Sequence, residues 1–295
     1  MRQFASRSLL PLLLVGLIFL AGCQASSREE AVTPPPAATE PAPAESPANP
    51  ILVPAEPPAS QPAAPNAAPA GEKAYSWWFT RNSLHQVPAT NKDVNALLAA
   101  YDAFYVLPND QKKIYLTFDC GYELGYSPRI LDVLDRQQVR AAFFITGHYI
   151  NTQPELVKRM HDSGHLVANH TFNHPDLPTV SQAKFNQELK LLEEKYKSVT
   201  GSELNRYLRP PNGNYSASTL HWAQEAQYKT VFWSMALADW DPNKQPGAEF
   251  VHQHVLNNIH PGAVILLHVV SQSDTEALEQ IIIDLKNQGY RFSTF

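Results

Sequence analysis

Cysteine is almost absent from this 295-residue chain. Only Cys23 and Cys120 occur, too few for a disulfide framework, and they are not read as a pair because Cys23 closes a leader-like segment. A large charge of either sign is also missing. The formal net charge is −5, which disfavours a nucleic-acid partner and excludes little else. No long hydrophobic run is present, and the apolar stretch Leu9–Leu20 is too short to span a bilayer comfortably. Residues 24–72 contain no aromatic side chain and are rich in Pro, Ala and Glu. Such a stretch cannot bury enough apolar surface to order itself. Its prolines keep it extended, with a reach on the order of 100 Å or somewhat more.

At the front, Arg2 and Arg7 supply a positive head before Leu9–Leu20, the pattern of a secretory signal. Leu20-Ala21-Gly22-Cys23 resembles a bacterial lipobox. That resemblance implies cleavage before Cys23 and diacylglycerol on its thiol. A plain signal peptide or an uncleaved anchor are the alternatives. The expected organisation is a lipoprotein signal at 1–22, a disordered linker at 23–72, an N-terminal extension at 73–112 and a main domain at 113–295. The domain is then exported, held to a membrane through its lipid alone, and faces the cell wall or periplasm. Tyr75–Phe79 is dense in aromatics and Asn95–Tyr105 reads as a short helix. The extension is expected to wrap on the main domain, with its tryptophans in packing rather than in sugar binding.

From Lys113 the chain alternates. Short apolar runs at 113–119, 139–146, 165–170, 206–210, 229–235, 263–268 and 289–294 read as strands. Helical patterns lie between them: one opening at Ser127-Pro128, then Pro154–Ser163, Ser181–Val199, Ser216–Ala226, Ala248–Asn258 and Asp274–Gln288. This repetition means a parallel sheet covered by helices. Asp119, His170, Arg209, Asp239 and His268 each sit at or just past the end of a different strand. Those ends converge only if the sheet curls, so the expected fold is α/β, a distorted (β/α)7 barrel with an aromatic-rich N-terminal wrap.

Each candidate site residue has a chemical and a structural reading. Asp119 ends a buried strand before Gly121, a setting that presents an acid at a site. His170 and His174 are spaced to share one face of a helical turn and hold a metal, or else they cap and bond within a loop. Arg209 offers a rigid fork to a carboxylate or makes a structural ion pair. Asn212 follows two prolines and has a free backbone N–H for an oxyanion. Asp239 and Trp240 read as a polar orienter beside an aromatic wall, or as a packed turn. His268 is an acid or base at a strand mouth, or a satisfied core histidine. Glu123 and Tyr126 contact substrate or pack the first loop, and His148 lies near the substrate or is structural.

The order TFD-C-G, H-T-x-x-H, R-x-P-x-G, D-W and L-L-H along 113–295 resembles the polysaccharide deacetylase family, the NodB-homology or carbohydrate esterase family 4 group. GYELGYSP, LRPPNG, VFWSMALADW, HPGAVILLH and the front segment WWFTRNSLHQVP look most like its branch acting on N-acetylmuramic acid in peptidoglycan. The resemblance implies a metal-dependent enzyme that removes acetyl groups from a glycan. It assigns Asp119 as general base for the attacking water and His268 as acid for the leaving amine. Asp239 then orients His268, Arg209 orients Asp119, and His170 and His174 hold a divalent metal, zinc before cobalt or manganese. The expected partner is peptidoglycan or a related N-acetylated polysaccharide, with the protein a monomer. Deacetylation of N-acetylglucosamine, chitin oligomers or acetyl xylan is the nearer alternative. A wall-binding pseudoenzyme is the further one. Cys120 departs from the family pattern, which has an acid there. It is a thiolate ligand, a filler beside a site completed by water, or the mark of an impaired site.

Overall fold

The computed structural model describes residues 71–108 and 111–295, and the leader, Cys23 and most of the linker lie outside them. The elements in chain order are β1 Tyr75–Ser76, α1 Lys92–Ala100, β2 Lys113–Cys120, α2 Ser127–Arg136, β3 Ala142–Ile145, α3 Gly147–Thr152, α4 Pro154–Asp162 and β4 Leu166–Asn169. They continue with α5 Gln182–Thr200, β5 Asn205–Leu208, β6 Asn214–Tyr215, α6 Ala217–Glu225, β7 Lys229–Thr230, α7 Ala248–Asn258, β8 Val264–His268, α8 Gln272–Asn287 and β9 Arg291–Phe292.

The main sheet is parallel and runs β7-β5-β4-β3-β2-β8, with β9 paired to the first residues of β2. It curls into a half-barrel. Beyond β7 the chain crosses towards β8 through a single bridge, Met235↔Ile265, so the ring is completed by irregular backbone instead of a full strand. The strands are buried on both faces and alternate between two cores. Ile114, Leu116, Phe118 and Cys120 join Phe143, Ile145, Ile265 and Leu267 in the layer beneath the helices. Tyr115, Ala142, Phe144, Ala168 and Val264 fill the inside of the curl. Fully burying one such Ile, Leu or Phe contributes roughly 1.5–3 kcal/mol.

The helices start and stop where their caps place them. Pro128 opens α2. The Ser181 hydroxyl accepts from Lys184 N at the start of α5, and Gly201 ends that helix at φ +76°. Helix α1 begins three residues earlier than the expected segment and ends at Ala100, because Asn91 caps it by accepting from Asp93 N. The alternation did not signal α3, a single turn capped by Thr146.

The N-terminal segment pairs β1 antiparallel with β6, Tyr75 opposite Tyr215. Trp77 is buried against Phe232 and Tyr105, with ring centroids 4.8 and 4.9 Å away, and its indole N–H donates to Trp233 O at 2.9 Å. Gly213, at φ +68°, lets this contact close. A Cβ there would meet the Trp233 ring at 2.9 Å and Trp77 Cβ at 3.1 Å.

Candidate active site

The open end of the half-barrel holds a cavity of about 780 Å³ lined by Asp119, His170, His174, Asn212, Trp240 and His268. Asp119 and His268 are register partners on the adjacent strands β2 and β8, so both side chains leave the sheet on the same face. That face is the inside of the curl, where Tyr115 and Val264 lie below them.

Arg209 follows β5 and is fully buried. Its Nη1 donates to Asp119 Oδ1 at 2.7 Å, and Nε donates to Val231 O at 3.3 Å. The guanidinium lies 4.0 Å over the Phe144 ring, whose face favours a cation. Burial by itself would raise the Asp119 pKa. Arg209, then His170 and His268, outweigh it and hold the carboxyl below its usual range.

His268 Nδ1 lies 2.8 Å from Asp239 Oδ1, and its backbone N–H donates to Asp239 Oδ2 at 2.8 Å. Burial would lower this imidazole's pKa, but the Asp239 charge prevails and raises it. Asp239 is fully buried, and despite that burial its pKa is lowered, chiefly by His268.

His170 and His174 meet with ring centroids 4.8 Å apart, though not on a helical turn. They sit in a loop that turns through left-handed backbone at Thr171 (φ 67°) and His174 (φ 55°). The buried Glu188 carboxylate pins that loop by accepting from Asn173 N at 2.6 Å and Asn173 Nδ2 at 2.8 Å. Gly147 N donates to Phe172 O from the other side, at a position where a Cβ would meet the Phe172 ring at 2.5 Å. His170 Nδ1 is 2.8 Å from Arg209 O, a contact that only an N–H can satisfy. The Nε2 lone pair therefore faces the cavity, 3.6 Å from Asp119 Oδ2. Burial lowers the His170 pKa to about 4 and lowers that of His174, so both imidazoles are neutral near pH 7. Two neutral imidazoles, one oriented by a backbone carbonyl, suit a divalent metal. Among the described residues no three His, Cys, Asp or Glu side chains form a complete cage.

Cys120 is not part of this site. Strand β2 runs through it, with Cys120 opposite Ile145, so the alternation carries its side chain to the helix-facing core. It is fully buried, and burial pushes its thiol pKa well up. A thiolate ligand would need Cys120 to face the cavity, and its place within β2 turns it the other way. We expect Cys120→Ala to keep zinc affinity and acetate release unchanged, at a stability cost on the order of 1 kcal/mol. A sharp loss of zinc binding in a calorimetric titration would contradict this placement.

Glu123 and Tyr126 are also absent from the cavity lining. Glu123 Oε1 accepts from Gly125 N at 2.5 Å and Ser127 N at 3.2 Å, and Oε2 from Tyr149 OH at 3.3 Å. Its carboxylate satisfies the first turn of α2 and folds the loop. Tyr126 packs against the helix-layer core. The loop instead offers Tyr122, 64 % exposed, with its ring 4.6 Å from that of His148, and both line the cavity. Asn212, at φ 54° in a short turn, and Trp240, 61 % exposed, line it too. The motif reading passed over Phe79 and Arg81, which reach the cavity from the N-terminal segment, and over Trp233. The aromatic density at Tyr75–Phe79 marked the region without saying which side chains face inward.

Residues 107–231 match the polysaccharide deacetylase family model. The chain is 46% identical over 219 residues to the peptidoglycan-N-acetylmuramic acid deacetylase PdaA of Bacillus subtilis, covering 74% of this chain and 83% of that protein. It is 36% identical over 191 residues to a peptidoglycan-N-acetylglucosamine deacetylase of Bacillus cereus, covering 63% of this chain and 68% of that one. The solved structure of B. subtilis PdaA, a family 4 carbohydrate esterase, superposes with a TM-score of 0.74 at 45% identity, over 75% of this chain and 95% of that one. Identity of this extent joined to the same half-barrel means that the chain belongs to the polysaccharide deacetylase family of enzymes.

Proposed function

We propose that the protein hydrolyses the acetamide of N-acetylmuramic acid residues in peptidoglycan, giving acetate and a free amine on the sugar. The observation that carries the chemistry is the register pair Asp119 and His268, each held in its working charge state by a buried partner. Asp119 is ionised, with Oδ1 held by Arg209 and Oδ2 facing the cavity, ready to take a proton from water. The raised pKa of His268 favours the imidazolium, which would give a proton to the departing nitrogen. His170 and His174 would hold the divalent metal on which this family generally depends. That ion supplies Lewis acidity, polarising a carbonyl and lowering the pKa of water. Asn212, Trp240 and Tyr122 line the cavity; Asn212 would bring a backbone N–H to the developing oxyanion, and Trp240 and Tyr122 would face the sugar rings.

The choice of muramic acid over glucosamine is supported by the relation to PdaA and by Arg81. Muramic acid differs from glucosamine by a 3-O-lactyl group, which carries a free carboxylate wherever no stem peptide is attached. Arg81 is the one Arg or Lys among the described residues that line the cavity. Mass analysis of purified peptidoglycan treated with the metal-reconstituted protein should find amines on muramic residues, and acetylated glucosamine untouched. Arg81→Gln should raise KM for that glycan about tenfold, with kcat nearly unchanged. Amines on glucosamine alone would move the substrate to the alternative.

Export and anchoring belong to the same proposal. The signal at 1–22, the lipid on Cys23, the extended linker and a monomeric domain beyond it would place the enzyme outside the cytoplasm, facing its glycan. No helix among the described residues is long and apolar enough to cross a membrane. Cys23→Ala should leave the detergent phase in a partition assay, and a variant that stayed there would remove the lipid from the scheme.

A further inference from the structure

Asp274 lies in the first turn of α8, behind the Asp239–His268 pair, and takes no direct part in the chemistry above. It is 1% exposed. Its backbone N–H donates to Ser271 Oγ at 3.1 Å. Its carboxyl faces the Asp239 carboxyl, and neither oxygen makes a well-formed hydrogen bond among the described residues, although the Ser271 hydroxyl and the His268 backbone N–H are near enough to act on it. Those two donors are committed elsewhere. The Ser271 hydroxyl donates to Gln245 Oε1 at 2.8 Å, and the His268 backbone N–H donates to Asp239 Oδ2 at 2.8 Å. Two ionised carboxylates in contact, away from water, have no proton to share and repel each other. Asp239 is the member that keeps its charge, because His268 gives it two hydrogen bonds. The contact is therefore a bond only if the proton sits on Asp274.

We propose that Asp274 is held as a neutral carboxylic acid that donates its proton to Asp239, and that this bond positions the Asp239–His268 pair. The positive end of α8 opposes this by favouring an ionised Asp274. Burial and then the Asp239 charge outweigh it and push the Asp274 pKa well above the usual carboxylate range, against smaller opposing contributions from Ser271 and the His268 backbone. Other titratable groups that act on the pair are Asp119 and Arg209, from across the cavity, and His174, which interacts with His268. With His268 holding both oxygens of the Asp239 carboxylate and Asp274 donating to it as well, the carboxylate cannot rotate, and the imidazole plane is fixed with it. Asp274 is a positioning residue and touches no reacting atom.

The inference rests on Asp239–His268 being the proton-handling pair, but two of its tests do not involve catalysis. Asp274→Asn keeps a neutral donor in the same shape, whereas Asp274→Ala removes it. The Asn variant should keep kcat within about twofold, and the Ala variant should lose about tenfold in kcat with KM nearly unchanged. A folded-state pKa raised above the unfolded one gives stability that is complete below the unfolded value, about 3.9, and is lost as pH rises towards the folded value. Asp274→Asn should therefore melt at a higher temperature than the parent at neutral pH, with the gain shrinking towards zero near pH 4. Infrared difference spectra at neutral pH should show a protonated-carboxyl band in the parent that Asp274→Asn lacks. Equal loss of kcat in both variants, a lower melting temperature for Asp274→Asn at neutral pH, or no such band would overturn the proposal. The thermal and infrared results stand or fall apart from the functional reading of the pair.

Discussion

Asp119→Asn is expected to slow acetate release from glycan about 10²–10⁴-fold, the range for loss of a positioned base. The change is nearly isosteric. The amide oxygen still accepts from Arg209 Nη1, so the geometry of the 2.7 Å contact survives, but the amide cannot take a proton from water. The fall should appear in kcat, since the cavity wall is otherwise intact. A second effect accompanies it. Arg209 is fully buried, and removing the charge opposite it leaves a guanidinium without its counter-ion. Breaking a buried pair in this way costs about 3–5 kcal/mol, and the retained acceptor keeps the cost towards the lower figure. The assay belongs well below the variant's melting temperature, with circular dichroism to show that it is folded. Unchanged acetate release from folded Asp119→Asn would remove Asp119 from the role of base.

Replacing His268 by Gln is expected to cost about 10²–10³ in kcat, since the leaving amine then departs without a positioned acid. The pH dependence gives a finer test. His268 acts while protonated, and its raised pKa extends that state above the ordinary imidazole value of about 6.5. Activity is then lost as pH rises through the folded-state pKa. In Asp239→Asn the largest raising charge is gone, and burial with Arg209 lowers the pKa against the smaller raising effect of Asp119. The alkaline limb of kcat should move to lower pH, below that of the parent. The stability of the pair follows the same signs. The Asp239 contribution is present above about pH 3.9 and lost as acid protonates it, whereas the His268 contribution is complete below about pH 6.5 and lost as base removes its proton. Their joint contribution peaks between those values. A limb that stays in place in Asp239→Asn would separate Asp239 from the tuning of His268.

Asp119, Arg209 and His268 were legible because strand–helix alternation puts strand ends on one face and each lies at such an end, whereas Asp239 lies in irregular backbone nine residues beyond β7. The partnerships were not legible, since Asp119 and Arg209 are 90 residues apart in the chain. The histidine pair shows a different limit. Spacing of four suggested a helical turn, but the rings meet through left-handed backbone held by Glu188, a residue fourteen positions beyond His174 that no local pattern connects to the loop. Glu123 stayed open in the sequence because a carboxylate in a loop beside a site carries the same signal whether it faces the cavity or bonds to the next helix's first turn.

The sequence by itself determined the layer order, the strand ends that carry chemistry and the family, because burial periodicity and motif order are local properties of the chain. Only the tertiary structure decided three matters. It separated Asp119 from Cys120, since strand β2 outlasts the acid by one residue and a pleated strand sends neighbours to opposite faces. It brought Arg81 and Phe79 to the cavity, since the pairing of β1 with β6 is a long-range contact. And it set Asp274 against Asp239, so that the charge on one carboxyl depends on the other. Faces, distant pairings and the electrostatics of burial are properties of the folded molecule.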